Sequence, residues 1–517
     1  MKLELNRRRF LRLLGTVSAA FGLRSEARAT QQPTPAPPPL ARIPSNSWVK
    51  QTVNRKDVVA IQVKPYAWLD EGIDRLLDNL QQKANVNTVF AFTYLSDPTD
   101  IVTGAIPLPD HGTFGAGKPP ATGGAYYDYD QKYFRNTTLR NFRSPDDHYF
   151  NVIAAVGPKM KARGMDFFAF DYNNTSARMM RFIPGFTQVA EIDVYGRRTD
   201  SACWNHPDYR AHLTGKVESC LAQYPDQVAG MAWGCERMGP LDNMIGGGWA
   251  TVGISCFCPF CCAKARDRGI STERARQGFI QLDTLFRSAQ NHERPTDGCF
   301  VSFWRTILQY PETLSWQAMW TDSYHEVRAQ LFGTAKALAP KKPFGFHIVQ
   351  NVTFSPFYSA SEDYAKIANY ADFIKIATYN NAGGGRMAGF ITRLCSTVFA
   401  DVTPRDLLPV YYSMMNYEEK SFDGIAKDGL SVDYLARETK RALAGTGGSV
   451  QIYPGVDIDV PVQPGQNRTT PESVRAEMEA AFGAGAHGVV LSREYTEMWL
   501  ANLAAAGDAS RTIFAGK

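Results

Sequence analysis

Two sets of side chains in this 517-residue chain have types and spacing that could do chemistry. The first is a series of carboxylates that close short apolar runs; Glu236, at the end of VAGMAWGCE (residues 228–236), is the clearest. Two carboxyl groups facing one opening suit glycosidic cleavage, which needs one protonated to assist the leaving oxygen and one ionised to attack or to activate water. The second set is cysteine. There are nine, four of them within Cys256-Phe257-Cys258-Pro259-Phe260-Cys261-Cys262. Cysteines so spaced can converge on one metal ion as thiolates, with Cys203, Cys220 or Cys235 completing a tetrahedral set, or they can form disulfides.

Carboxylates far apart in sequence share a site only if the fold gathers them. Residues 57–63, 87–94, 166–171, 228–236, 343–348, 372–380, 450–456 and 488–492 are short apolar runs with blurred alternation, the pattern of strands buried on both faces. Helical patterns fall between them, at 69–83, 150–163, 206–223, 326–338, 361–370, 431–443 and from Thr470-Pro471-Glu472 onward. Residues 408–412 read as a further strand or the start of a loop. Eight strands alternating with helices predict an α/β fold, a single (β/α)8 TIM barrel over residues 51–517, with long insertions at 95–148, 172–205 and 237–340 in its βα loops. An open doubly wound sheet would need a Gly-rich phosphate turn after the first strand, and Val63-Lys64-Pro65-Tyr66 is not one.

A barrel builds its site at the C-terminal ends of its strands. Those ends carry Gln62, Lys64, Tyr94, Asp171, Glu236, His347, Tyr379, Asn380, Asp457, Asp459, Arg493 and Glu494. Trp68, Trp204, Trp249, Tyr453 and Trp499 fall in or near the same loops and offer flat faces on which sugar rings could stack. For Glu236 the competing reading is a structural ion pair with Arg237.

The first residues set the expected compartment. Arg7-Arg8-Arg9-Phe10-Leu11, a weakly apolar run over 13–23 and Ala27-Arg28-Ala29 read as a twin-arginine export signal over 1–29, with the Tat translocon as its partner. A Pro-rich spacer follows over 30–50, and the protein is expected in the periplasm or secreted. The apolar run is too short to span a membrane, so no span is expected in the mature chain. The whole chain carries a formal charge of +5, and residues 1–29 account for all of it. The near-neutral remainder argues against a nucleic-acid partner. Because this route exports proteins folded in a reducing cytoplasm, it favours a structural zinc over disulfides.

A strand-4 glutamate followed by a C-x-C-P-x-C loop resembles the zinc-containing β-galactosidases of glycoside hydrolase family 42, TIM barrels of clan A. The resemblance implies zinc ligands at Cys256, Cys258 and Cys261, with Cys203 as the fourth. It implies Glu236 as acid/base and Asp457, in PGVDIDVP, as the nucleophile of a retaining mechanism, with Asp459 or Glu494 as alternative nucleophiles. Asp171, His347, Tyr379, Asn380, Asp459, Arg493 and Glu494 are then expected to contact an oligosaccharide, polysaccharide or glycoside substrate. Two positions depart from the clan: Cys235 stands where an Asn precedes the acid/base, and the nucleophile is Asp in place of Glu. A carbohydrate-binding barrel without catalysis therefore stays open. A thiol-redox role for Cys258-Pro259-Phe260-Cys261 lacks the βαβ context such a motif needs. The phrases SPFY (355–358), YNN (379–381) and VVLSREYTEM (489–498) also resemble exported, glycoside-hydrolase-like bacterial barrels.

Overall fold

In the computed structural model the eight apolar runs form eight parallel strands: β1 (Val58–Val63), β2 (Thr88–Leu95), β3 (Asp166–Tyr172), β4 (Gly230–Gly234), β5 (Phe344–Ile348), β6 (Phe373–Ile376), β7 (Gln451–Asp457) and β8 (Gly488–Ser492). Each pairs with its sequence neighbour, and β1 pairs with both β2 (Ala60↔Thr88) and β8 (Val58↔Gly488), so the sheet closes on itself. This is a (β/α)8 barrel. The described residues are 57–95, 110–112, 123–146, 148–173 and 183–516; the expected signal and spacer lie outside them, as do parts of the first two insertions. Among the described residues, no helix is long and apolar enough to cross a membrane.

The barrel interior is plugged by aromatic rings. Phe90 stacks on Phe168 at 5.5 Å between ring centroids, and Phe373 lies 5.7 Å from each of them and 5.3 Å from Tyr453. Glycines make room for them: a Cβ at Gly230 would sit 2.7 Å from the Phe168 ring, and one at Gly345 2.5 Å from Phe373. Large residues on some strands thus interlock with none on others, at the density of a packed interior. Above this plug, toward the C-terminal strand ends, the lining turns polar.

Helices return the chain along the outside. Val152–Ala162 is capped by the Asn151 side chain, which accepts from the Ala154 N–H at 3.0 Å. Pro207–Gln223 and Pro471–Gly483 both begin with Pro at the first turn, and Thr470 and Ser473 form a reciprocal capping box on the latter. The helix expected over 69–83 is broken by Gly72 at φ +83°, into Pro65–Glu71 and Ile73–Asp78 with a π turn after it. The segment 361–370 holds only short helices, Pro356–Ser361 and Tyr364–Ile367. Residues 408–412 are neither strand nor loop: they sit inside the helix Pro404–Met415, burying Leu407, Leu408, Tyr411, Tyr412 and Met415 on one face.

Two insertions build the rim. The second carries an antiparallel hairpin, Ala190–Ile192 with Arg198–Ala202. The third is helical and ends in the 27-residue helix Glu312–Leu338, whose last part is the barrel helix expected at 326–338.

Candidate active site

A cleft of about 810 Å³ opens over the C-terminal ends of the strands. Of the residues singled out in the sequence, Gln62, Lys64, Glu236, His347, Tyr379, Arg493 and Glu494 line it; Asp171, Asn380, Asp457 and Asp459 are not in its lining.

Glu236 stands two residues beyond the end of β4, about one third exposed to the cleft. Its neighbours fix its aim. Gly234 carries no side chain where a Cβ would lie 3.1 Å from both His347 and Tyr172, so these two flank the carboxylate. His347 Nε2 donates to Glu236 Oε1 at 2.9 Å, while its Nδ1 has no protein partner, which assigns the neutral tautomer protonated on Nε2. Burial lowers the His347 pKa and Lys375 adds to this, so the ring is neutral at pH 7. Tyr172 lies close enough to Glu236 for the carboxylate to add to the rise in its pKa that burial causes. Burial alone would raise the Glu236 pKa, but the hydrogen bond from His347, the charge that ring gains once it protonates at low pH, and the charges of Lys375 and Arg386 outweigh it and hold the carboxyl at about 2. Arg237 is not its partner. That guanidinium pairs with Glu191 at 2.7 Å and donates to the Ala202 carbonyl at 2.7 Å, tying the base of the β4 loop to the hairpin.

Glu494 follows β8 and is 2% exposed. Tyr66 donates to its Oε1 at 2.9 Å; its Oε2 has no protein partner. Burial pushes its pKa up to about 7, with the charge of Lys64 opposing and that of Glu497 reinforcing the shift. Arg493, beside it, forks onto Glu497 through Nε at 2.8 and 2.9 Å and Nη2 at 2.7 Å. Beneath the cleft, Lys375 donates to the Tyr379 hydroxyl at 2.6 Å, and burial lowers its pKa to about 7.

Asp457, expected as the nucleophile, is fully buried. Its carboxylate accepts from the Ala382 N–H at 2.9 Å, the Val460 N–H at 3.2 Å and Thr469 Oγ1 at 3.3 Å, and so folds the loop after β7 in place of facing a substrate. Asp459 accepts from the Trp499 N–H at 2.7 Å and from Asn502 Nδ2 at 2.8 and 3.0 Å, anchoring the start of the last helix. Asp171 takes the buried Lys216 ammonium at 2.9 Å, itself 3.7 Å from the centre of the Tyr94 ring. Asn380 is buried, and the neighbouring Asn381 Nδ2 donates to Glu477 Oε1 at 3.4 Å. Trp68, Trp204, Trp249 and Tyr453 are buried packing residues, a correction to their reading as sugar platforms, and Trp499 is exposed away from the cleft. The aromatic faces that do line it are Phe92, Tyr172, Tyr358, Tyr379 and Phe390.

Arg386 and Arg393 line the cleft and escaped the sequence reading. Both lie on the helix Asn380–Leu394, which opens with Gly383-Gly384-Gly385 and so has a poor helical signature. The glycines are there for contact: a Cβ at Gly384 would fall 2.2 Å from the Ile425 carbonyl, and one at Gly383 2.8 Å from Gln350.

Behind the hairpin wall, Cys203, Cys256, Cys258 and Cys261 are all buried with their sulfurs within 4.8 Å of one another. Cys203 Sγ is 3.4 Å from Cys258 Sγ and 3.5 Å from Cys261 Sγ, and all nine cysteines are free thiols. A disulfide needs about 2.05 Å, whereas four sulfurs each about 2.3 Å from one ion stand about 3.8 Å apart. Donors converge on the sulfurs. The Asn205 N–H reaches Cys203 Sγ at 3.3 Å, Asn205 Nδ2 reaches Cys261 Sγ at 3.3 Å, and the Cys258 N–H reaches Cys256 Sγ at 3.4 Å. Such a set can hold a metal ion, with Lys264 orienting the Asn205 amide at 3.3 Å.

No protein-family model and no curated protein matches this sequence significantly. Among solved structures it is similar to the β-galactosidase of the Antarctic haloarchaeon Halorubrum lacusprofundi, at 13% identity and a TM-score of 0.51, covering 88% of this chain and 57% of that one. It is also similar to the β-galactosidase of the psychrophilic Marinomonas ef1 (12% identity, TM-score 0.48, 89% and 60% covered) and to α-L-fucosidase isoenzyme 2 of Paenibacillus thiaminolyticus (11%, 0.45, 89% and 49%). The chain thus spans less than two thirds of the length of each. What is shared with the first is the fold, a parallel barrel.

Proposed function

We propose that this chain is a glycoside hydrolase in which Glu494 is the proton donor and Glu236 the ionised partner. One observation carries the reading: two carboxyl groups from different strands open onto one cleft with their pKa values driven apart, to about 7 and about 2. Groups so separated have their acid and base roles assigned by environment. Glu494 passes its proton to the glycosidic oxygen as the bond to the anomeric carbon breaks. Glu236 takes a proton from a water whose oxygen bonds the anomeric carbon from the opposite face. The products are the free alcohol and a sugar of inverted configuration.

We read the reaction as inverting, in place of the retention implied by clan A, a reading that the wide spacing of the two strands supports and that needs the carboxyls about 6.5–9.5 Å apart. β4 and β8 stand four places apart in a ring of eight, the widest separation available, whereas retention needs carboxyls only about 5–5.5 Å apart. Proton NMR of the first-formed sugar tests this directly. Appearance of the opposite anomer is expected; the same anomer would restore retention, and binding without any hydrolysis would leave a carbohydrate-binding barrel.

The pH profile has a worked sign. Activity requires Glu494 protonated, so kcat/KM should fall as pH rises through about 7; it requires Glu236 ionised, which holds at any pH above about 2. The charged and titratable groups around Glu494 are Tyr66, Lys64, Arg493 and Glu497. A rate that climbs through pH 7–8 would contradict the assignment.

We assign zinc to the cysteine cluster. The four thiolates would close a tetrahedral set with no position left for substrate, which makes the role structural. Export by the twin-arginine route is part of the same reading. Arg7 and Arg8 replaced together by Lys should leave the precursor in the cytoplasm, as fractionation and blotting would reveal, and normal export of that variant would refute it.

A further inference from the structure

We infer that the sugar taken by this cleft is acidic, bearing a carboxylate or a sulfate ester that Arg386 and Arg393 hold. The inference rests on the glycosidase reading and names its substrate class. The cleft is lined by five cations, Lys64, Arg237, Arg386, Arg393 and Arg493, and by three carboxylates, Glu191, Glu236 and Glu494. Two of the cations are already matched: Arg237 by Glu191 at 2.7 Å and Arg493 by Glu497 at 2.7 Å. Arg386 and Arg393 have only neutral acceptors. Arg386 Nη1 donates to Gln350 Oε1 at 3.0 Å, and its guanidinium lies 5.5 Å from the centre of the Tyr379 ring. Arg393 Nε donates to the Gly246 carbonyl at 3.2 Å. Among the described residues neither makes an ion pair.

A guanidinium offers five N–H donors in a planar fork, and each of these two spends few of them on the protein. Sugar hydroxyls are served as well by amides and carboxylates. What an unmatched fork recognises better than those groups can is a planar or tetrahedral oxyanion, gripped by two parallel charge-assisted bonds. The surplus of positive charge, in a cleft with apolar walls, would also draw an anion in.

Arg386 and Arg393 are seven residues apart on one helix, which puts them on the same face about 10 Å apart. Arg386 is half-buried and its charge acts on Glu236, so it serves an anion close to the bond that breaks. Arg393 is exposed beside the Gly246-Gly247-Gly248 turn and serves a second anion further along. The fit is to an oligosaccharide that carries acidic groups on more than one unit.

The test compares 4-nitrophenyl glycosides of both anomers that differ only at C6, hexoside against hexuronide, together with oligogalacturonate and a sulfated oligosaccharide. Hydrolysis is measured on the full protein, and binding by calorimetry on both the full protein and its Glu236→Gln variant. An acidic probe should be preferred over its neutral counterpart about 10-fold or more, and Arg386→Gln should cut that ratio by roughly 10–100-fold, the worth of a lost charge-assisted contact. Arg386→Lys should fall between, and Arg393→Gln, on the rim where folding is not at stake, should weaken the oligomeric probes selectively. Preference for the sulfated probe over the uronate supports the inference with sulfate as the anion. Neutral glycosides cleaved while acidic ones are neither bound nor cleaved would overturn it and leave the hydrolase reading intact. Acidic probes bound in an Arg386-dependent way with nothing hydrolysed would do the reverse. A ratio untouched by either arginine variant also overturns it.

Discussion

Glu236→Gln is expected to slow hydrolysis of every glycoside roughly 10²–10⁴-fold, the usual worth of a positioned general base. Glu494→Gln should discriminate. Glycosides with poor, alkyl leaving groups need a proton on the departing oxygen and should lose a comparable factor; 4-nitrophenyl glycosides leave as a stable phenolate and should be largely spared. The same variant should flatten the alkaline limb near pH 7, because that limb is the loss of the Glu494 proton. Under the clan-derived assignment the pattern inverts: Glu236→Gln would show the leaving-group dependence and Asp457→Asn would be inactive. Asp457→Asn is instead expected to act on the fold. Its carboxylate is buried and bonded to two backbone N–H groups and Thr469, so an amide in its place points a donor at donors and should lower stability by about 1–3 kcal/mol. Leaving-group series on the purified variants, with a thermal melt of each, separate the two assignments. An Asp457→Asn protein with native stability and no turnover, beside a fully active Glu494→Gln, would sink the one argued here.

The barrel was legible because parallel strands buried on both faces leave near-continuous apolar runs, such as 166–171 and 488–492, that need no partner to be recognised. Where the reading slipped, a local window gave the wrong period. Leu408–Tyr412 is β-like over five residues, and only the longer span from Leu407 to Met415 reveals helical spacing. The cysteine set was legible for a different reason: metal ligation draws on few residue types, and the structure gathers Cys203 with the three loop cysteines as expected. The carboxylates were half legible. Position at a strand end marked Asp457 and Glu494 alike, but which of them faces the cleft depends on the partners that surround it. Ala382, Val460 and Thr469 claim one, while Tyr66 and Lys64 frame the other, and Ala382, Tyr66 and Lys64 come from remote parts of the chain. The tryptophans misled because a large ring near a strand end gains more by burial than by exposure, and Trp204 spends its face on Trp233, Tyr324 and the Arg237 guanidinium.

Removing the zinc proposed for the cysteine cluster is expected to lower both stability and activity, although no cysteine of the cluster lines the cleft. The link runs through the hairpin. Cys203 directly follows the strand Arg198–Ala202, and the other three cysteines belong to the loop that packs on the opposite strand and to the helix Pro259–Asp267 that follows it. That loop holds the hairpin through the Phe257 N–H to the Ile192 carbonyl at 2.6 Å, the Val194 N–H to the Ile254 carbonyl at 2.9 Å and Ser255 Oγ to Glu191 at 2.6 Å. Glu191 in turn anchors Arg237, the residue after Glu236. Without an ion the buried cysteines would take up protons, and with no common centre to hold them the loop would open. Chelation, or Cys258→Ser, should therefore cost several kcal/mol, about 3–5 °C in Tm for a chain of this size. Hydrogen exchange should rise first in residues 190–202 and 254–267. Turnover should fall as Arg237 loses its anchor and Glu236 its fixed aim, and added Zn²⁺ should restore both after chelation. Elemental analysis is expected to give about one zinc per chain. A metal-free protein with bridged cysteines, unchanged Tm and full activity would show that the wall is held by other means.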